Sequence, residues 1–117
     1  MARPIGLNYV LRPNETEGRS FGLNGLHEIL VMLPQGETWP DGAEVVLQFE
    51  SPHDDEEDFW QDILDPKTQE RVACWANTGF VPFNGSPGIR YRLKATETGF
   101  NGTIKAIRSW VSSRPGR

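Results

Sequence analysis

One cysteine, two histidines and no long apolar run characterise this 117-residue chain. The single Cys74 cannot close an internal disulfide, which excludes a disulfide-stapled scaffold. Structural zinc draws on several His or Cys ligands, and the chain offers only His27, His53 and Cys74. No stretch approaches the roughly 18 consecutive apolar residues of a spanning helix. The opening MARPIGLNYV lacks the charged-then-apolar pattern of a signal peptide. A soluble protein of a reducing compartment is expected, with no membrane partner. G-x-S-x-G, H-E-x-x-H and P-loop signatures are also missing, so no catalytic residue, cofactor or enzymatic activity is expected.

What is present points to strands and turns. Hydrophobic residues make up 37%, and 12 glycines and 9 prolines punctuate the chain. That composition suits one domain of short strands better than a helical bundle. The clearest strand is GIRYRLKAT, residues 88–96. Ile89, Tyr91, Leu93 and Ala95 fall on one face, and Arg90, Arg92, Lys94 and Thr96 on the other. Turn clusters flank it, and TIKAIRSWV after the second reads as its hairpin partner. AEVVLQFE, with Val45, Leu47 and Phe49 in phase, is another strand. LHEILVML is a third, whose unbroken apolar run from Ile29 predicts burial on both faces. ERVACWA and GFVPF supply shorter ones. The asparagine-glycine pairs at Asn84 and Asn101 are read as turns, not glycan acceptors. The expected architecture is all-β: one antiparallel β-sandwich, jelly-roll-like, of about seven strands over residues 21–111. Residues 1–20 are expected to form an extended arm with a short strand near Leu7 to Leu11, and 112–117 a frayed tail.

The stretch ESPHDDEEDFW is the most unusual. Asp54, Asp55, Glu56, Glu57 and Asp58 are contiguous. An EF-hand loop needs alternating carboxylates and a turn glycine, which this run lacks. Glycosidase carboxylates must be held apart across a cleft, in environments that separate their pKa values, whereas adjacent solvated acids all ionise. The acids are therefore read as a solvated loop and a protein-interaction surface. Phe59 to Ile63 fits either a strand completing a hairpin with VVLQFE or a short helix with the acids in its first turn. The strand is favoured.

Charge is segregated along the chain. From Glu37 to Glu70 the acids face only Lys67, and beyond Glu70 the bases face only Glu97. Arg90, Arg92 and Lys94, widened by Lys105, form a candidate basic row for protein contact. The row lacks interleaved aromatics and the net charge is −4, so nucleic acid is not an expected partner. Of the four tryptophans, Trp60 and Trp75 sit in apolar contexts and are assigned to the core, with Cys74 beside them. Trp39 and Trp110 are the candidates for a sugar-stacking platform.

The order VVLQFESP, an acidic loop, FWQDIL, TGFVPF, NGSPGIRYRLKAT and TIKAIRS resembles small β-sandwich structural proteins of tailed bacteriophages. The resemblance spans roughly residues 26–109 and rests on arrangement. The long acidic loop, in place of a glycine-rich turn, departs from it, and the amino-terminal arm lies outside it. It implies a virion component, a capsid decoration (cement) protein seated on the major capsid protein and oligomeric, with a trimer favoured. A tail or neck component is the nearest alternative, and a carbohydrate-binding module using Trp39 or Trp110 is the alternative of another class.

Overall fold

Alternating apolar and polar residues make strands because successive side chains point to opposite faces of a pleated chain. The computed structural model describes residues 4–11, 15–51, 59–96 and 104–110, with side chains described at 11, 15–51 and 60–96. Nine strands run through these residues: β1 (Pro4–Leu11), β2 (Phe21–Gly22), β3 (Gly25–Met32), β4 (Val45–Ser51), β5 (Phe59–Asp62), β6 (Cys74–Trp75), β7 (Gly79–Gly85), β8 (Arg90–Ala95) and β9 (Ile104–Trp110). No helix occurs among the described residues, and all strands but β2 and β6 are four residues or longer.

Two antiparallel sheets result. Sheet A has the order β1-β9-β3-β7, and sheet B the order β2-β8-β4-β5, with β6 also paired to β4. With β6 set aside, the pairs β1·β9, β2·β8, β3·β7 and β4·β5 alternate between the sheets. This is a long antiparallel hairpin rolled up on itself, the jelly-roll arrangement. The expected all-β, jelly-roll-like sandwich is what the chain forms.

The core lies between the sheets. Ile29, Val31 and Phe83 from sheet A meet Val45, Leu47, Trp75, Tyr91, Leu93 and Ala95 from sheet B. Trp75 crosses the gap: its Nε1–H donates to the Ile29 carbonyl at 3.3 Å. The Phe83 and Tyr91 rings meet edge to face, centroids 5.3 Å apart, an arrangement favoured by the ring quadrupole.

Several sequence expectations need correction. GIRYRLKAT and TIKAIRSWV are not a hairpin: β8 belongs to sheet B and β9 to sheet A, because successive strand pairs of the rolled hairpin, here β2·β8 and β1·β9, alternate between the sheets. LHEILVML is not buried on both faces. His27, Ile29, Val31 and Leu33 are buried, while Leu26, Glu28, Leu30 and Met32 are only partly so. Instead β4 has the two-sided burial, with Val45, Val46, Leu47 and Gln48 all inside. ERVACWA contributes only β6 and an isolated bridge between Leu64 and Arg71.

Residues 4–11, placed in an extended arm, are edge strand β1 on β9, in keeping with the short strand expected near Leu7 to Leu11. Residues 15–20 are tied to β8. Gly18 N–H donates to the Leu93 carbonyl at 2.9 Å, Ala95 N–H donates to the Thr16 carbonyl at 2.7 Å, and Glu17 bridges Lys94. The tail, 112–117, lies outside the described residues.

Candidate interaction surface

β8 turns Tyr91, Leu93 and Ala95 into the core and so presents Arg90, Arg92 and Lys94 on the outer face of sheet B. These three stand together, as their spacing predicted. Lys105 does not widen the row, since β9 is in the other sheet.

The row is already engaged within the molecule. Arg92 lies over the Trp60 ring, 4.6 Å from its centroid, and its Nε–H donates to Gln48 Oε1 at 2.9 Å. Gln48 Nε2–H donates in turn to Asp62 Oδ1 at 2.8 Å. Arg71 completes the chain: its Nε donates to Asp62 Oδ2 at 3.2 Å and its Nη1 to Glu44 Oε1 at 2.6 Å. On the other flank Glu17 stands 3.5 Å from Arg92 and 3.8 Å from Lys94. Arg90 donates to Ser20 Oγ through Nη2 at 2.6 Å. Exposed ion pairs contribute little singly. Gln48, only 7% exposed, makes this network different, because its buried amide depends on both partners.

Trp60 is therefore not a core residue; half-buried, it is the platform under Arg92. Trp75 is in the core as expected. Cys74 is not a buried hydrophobe either. It is half-exposed and lines a cleft of about 560 Å³ with Glu44, Asp62, Glu70 and Arg71. Burial, and then the Glu44 charge, push its thiol pKa up, partly offset by a hydrogen bond from Arg71.

The β4–β5 hairpin favoured over a helix is present, with Ser51 paired to Phe59. Asp54, Asp55, Glu56, Glu57 and Asp58 fall in the connection between those residues and lie outside the described residues. Trp39 is at the opposite end of β4. Its Nε1–H donates to the Ala43 carbonyl at 2.8 Å and its ring packs on the core. It lines a polar cleft of about 420 Å³ with Glu37, Asp41, Asn77 and Thr78. Trp110 ends β9 across from His27, in a different sheet from the strand that follows the Trp39 loop.

The outer face of sheet A is of another kind. Leu30 pairs directly with Phe80, Glu28 with Pro82, and Leu26 with Asn84. Phe80 is 54% exposed, Pro82 is exposed, and Leu26, Leu30 and Met32 are partly exposed. An antiparallel sheet with one solvated face normally carries polar residues there. Sequence reasoning missed this surface because an apolar residue at every position of ILVML reads as two-sided burial. The signal was there in the neighbouring GFVPF, whose apolar residues also fall on both faces.

No protein-family model, curated protein or solved structure matches this chain.

The two sheets thus offer unlike surfaces. Sheet B closes its charges on one another, and sheet A leaves apolar side chains facing outward.

Proposed function

We propose that this chain is a non-enzymatic structural protein of a virion, a capsid decoration protein that docks on the major capsid lattice as an oligomer. The carrying observation is the apolar outer face of sheet A around Leu30 and Phe80. Contiguous apolar surface on a soluble domain is the physical mark of a protein-docking site, since leaving it in water costs about 25 cal/mol per Å². The jelly roll supports the reading by analogy alone, since this architecture recurs in capsid proteins and also in lectins. The test is the protein content of purified virions, with cosedimentation of the purified chain on emptied capsids. Presence in virions and saturable cosedimentation are expected. Absence from both overturns the reading.

A carbohydrate-binding module is the second reading, and the polar cleft beside Trp39 favours it. In that case oligosaccharide shifts the tryptophan fluorescence of the native chain but not of Trp39→Ala.

A further inference from the structure

The gap between the sheets is not filled everywhere. β7 and β5 are edge strands of sheets A and B. A cavity of about 350 Å³ opens where Phe83 of β7 comes near Ile63, which follows β5. Phe49, Tyr91 and Ile89 line it further, with Ser86 at its exposed rim, and no lining residue is charged. Phe83 and Tyr91 are buried, whereas Phe49, Ile63 and Ile89 pack on the core and remain partly exposed. Protein interiors otherwise pack as densely as organic crystals. Here three apolar side chains border an open space instead.

One polar group belongs to this wall. Ser86 N–H donates to the Tyr91 hydroxyl oxygen at 3.0 Å. That contact uses the oxygen as an acceptor, and the hydroxyl proton has no acceptor among the described residues. Tyr91 is only 3% exposed, and a buried phenol normally gives its proton to a partner.

We propose that this cavity binds a small neutral aromatic molecule whose carbonyl or hydroxyl oxygen accepts the Tyr91 proton. The lining selects each part of that description. Ligand cavities run from about 300 to 1,000 Å³, so this one holds a single substituted ring. An ionised ligand would lose its hydration among uncharged walls with no partner for its charge. Phe83 and Tyr91 already meet edge to face, and a further ring extends that cluster with the contacts aromatic groups favour. The oxygen satisfies the one donor left over. The outer face of sheet A takes no part, so this site stands apart from the docking reading.

Titration of the isotope-labelled full chain with acetophenone, followed through the backbone amide shifts, tests this. Saturable shifts centred on Ser86 and Ile89 are expected, with a dissociation constant in the millimolar range. α-Methylstyrene has the same shape with carbon in place of the carbonyl oxygen. It binds about two- to tenfold more weakly, the worth of one net hydrogen bond. Cyclohexyl methyl ketone keeps the acceptor but loses the aromatic ring, and is weaker by about the same factor. Benzoate gives no saturable shift. Tyr91→Phe keeps the ring and removes the donor, so it binds acetophenone and α-methylstyrene equally. Shifts that fail to saturate, or that centre on sheet A's outer face or the Trp39 cleft, overturn the proposal. So does benzoate, α-methylstyrene or cyclohexyl methyl ketone binding the parent as tightly as acetophenone, or a preference for the ketone that survives Tyr91→Phe.

Discussion

Gly85 lies so close to Leu23 that a Cβ added to it would stand 2.5 Å from the Leu23 Cβ and 2.7 Å from its carbonyl oxygen. Leu23 is buried and follows β2 of sheet B, while Gly85 closes β7 of sheet A. At this point the connection from β2 to β3 passes directly against the end of β7, and only a residue without a side chain fits.

Gly85→Ala is therefore expected to be costly. The methyl group forces Leu23 and its peptide to move, which in packed interiors costs about 1–3 kcal/mol. A lower urea midpoint with an unchanged denaturant slope checks this. Gly22→Ala, where an added Cβ meets nothing, is the control within about 0.5 kcal/mol.

The chain from Arg92 through Gln48 to Asp62 acts as one unit. Gln48→Leu leaves the Arg92 Nε–H and an Asp62 oxygen without their partner, for an expected loss of about 1–3 kcal/mol. Arg92→Met in the same background costs less than it does alone, since one orphaned donor has gone. A double-mutant cycle by chemical denaturation measures that coupling, and strict additivity would contradict a shared network.

Gln69 holds a backbone conformation that suits glycine, with φ of 63°. It closes the turn in which the Asp65 carboxylate accepts from the N–H groups of Lys67 and Thr68. A side chain in the left-handed region costs about 1–2 kcal/mol, offset in part by the greater backbone entropy that glycine loses on folding. Gln69→Gly is expected to raise stability by about 0.5–1 kcal/mol, read as a higher urea midpoint.

Cys74 supplies a pH dependence. Its raised pKa means that the folded state holds the thiol proton more tightly than the unfolded chain. The stability it contributes is complete below the unfolded thiol pKa and is lost as pH rises through the higher folded value. Stability of the parent should fall across the alkaline range more steeply than that of Cys74→Ala. Iodoacetamide should alkylate the native thiol more slowly than the unfolded one at pH 8, since the thiolate is the nucleophile.

Removing residues 2–18 is expected to do more than detach a tether. It deletes edge strand β1 and takes Glu17 from Arg92 and Lys94. A lowered midpoint in thermal or urea denaturation checks this, and an unchanged one would show that neither edge contributes to the fold.

Much of the architecture was legible in local pattern. The alternation in GIRYRLKAT placed Tyr91, Leu93 and Ala95 inside, and the phase of Val45 and Leu47 did the same for β4. The basic row of Arg90, Arg92 and Lys94 followed from the same period of two. What escaped was pairing over distance. Nothing local shows that TIKAIRSWV turns away from its neighbour to join β1 and β3, which carried Lys105 to the other sheet. Trp60, surrounded by apolar letters, was assigned inward, yet its register against Glu50 sets it on the outer face beneath Arg92.

By itself, the sequence determined that this chain folds as short antiparallel strands, and which residues of the best-patterned strands face the core. Side-chain alternation and turn chemistry act over a few residues, so their signal survives in one dimension. Only the tertiary structure decided which charges neutralise one another and which apolar residues remain outside. Those outcomes depend on the rolled pairing of distant strands, and a change of neighbour moves a side chain from one surface of the molecule to another without altering any local pattern. Glu17 against Arg92, and Leu30 against Phe80, are both products of that pairing.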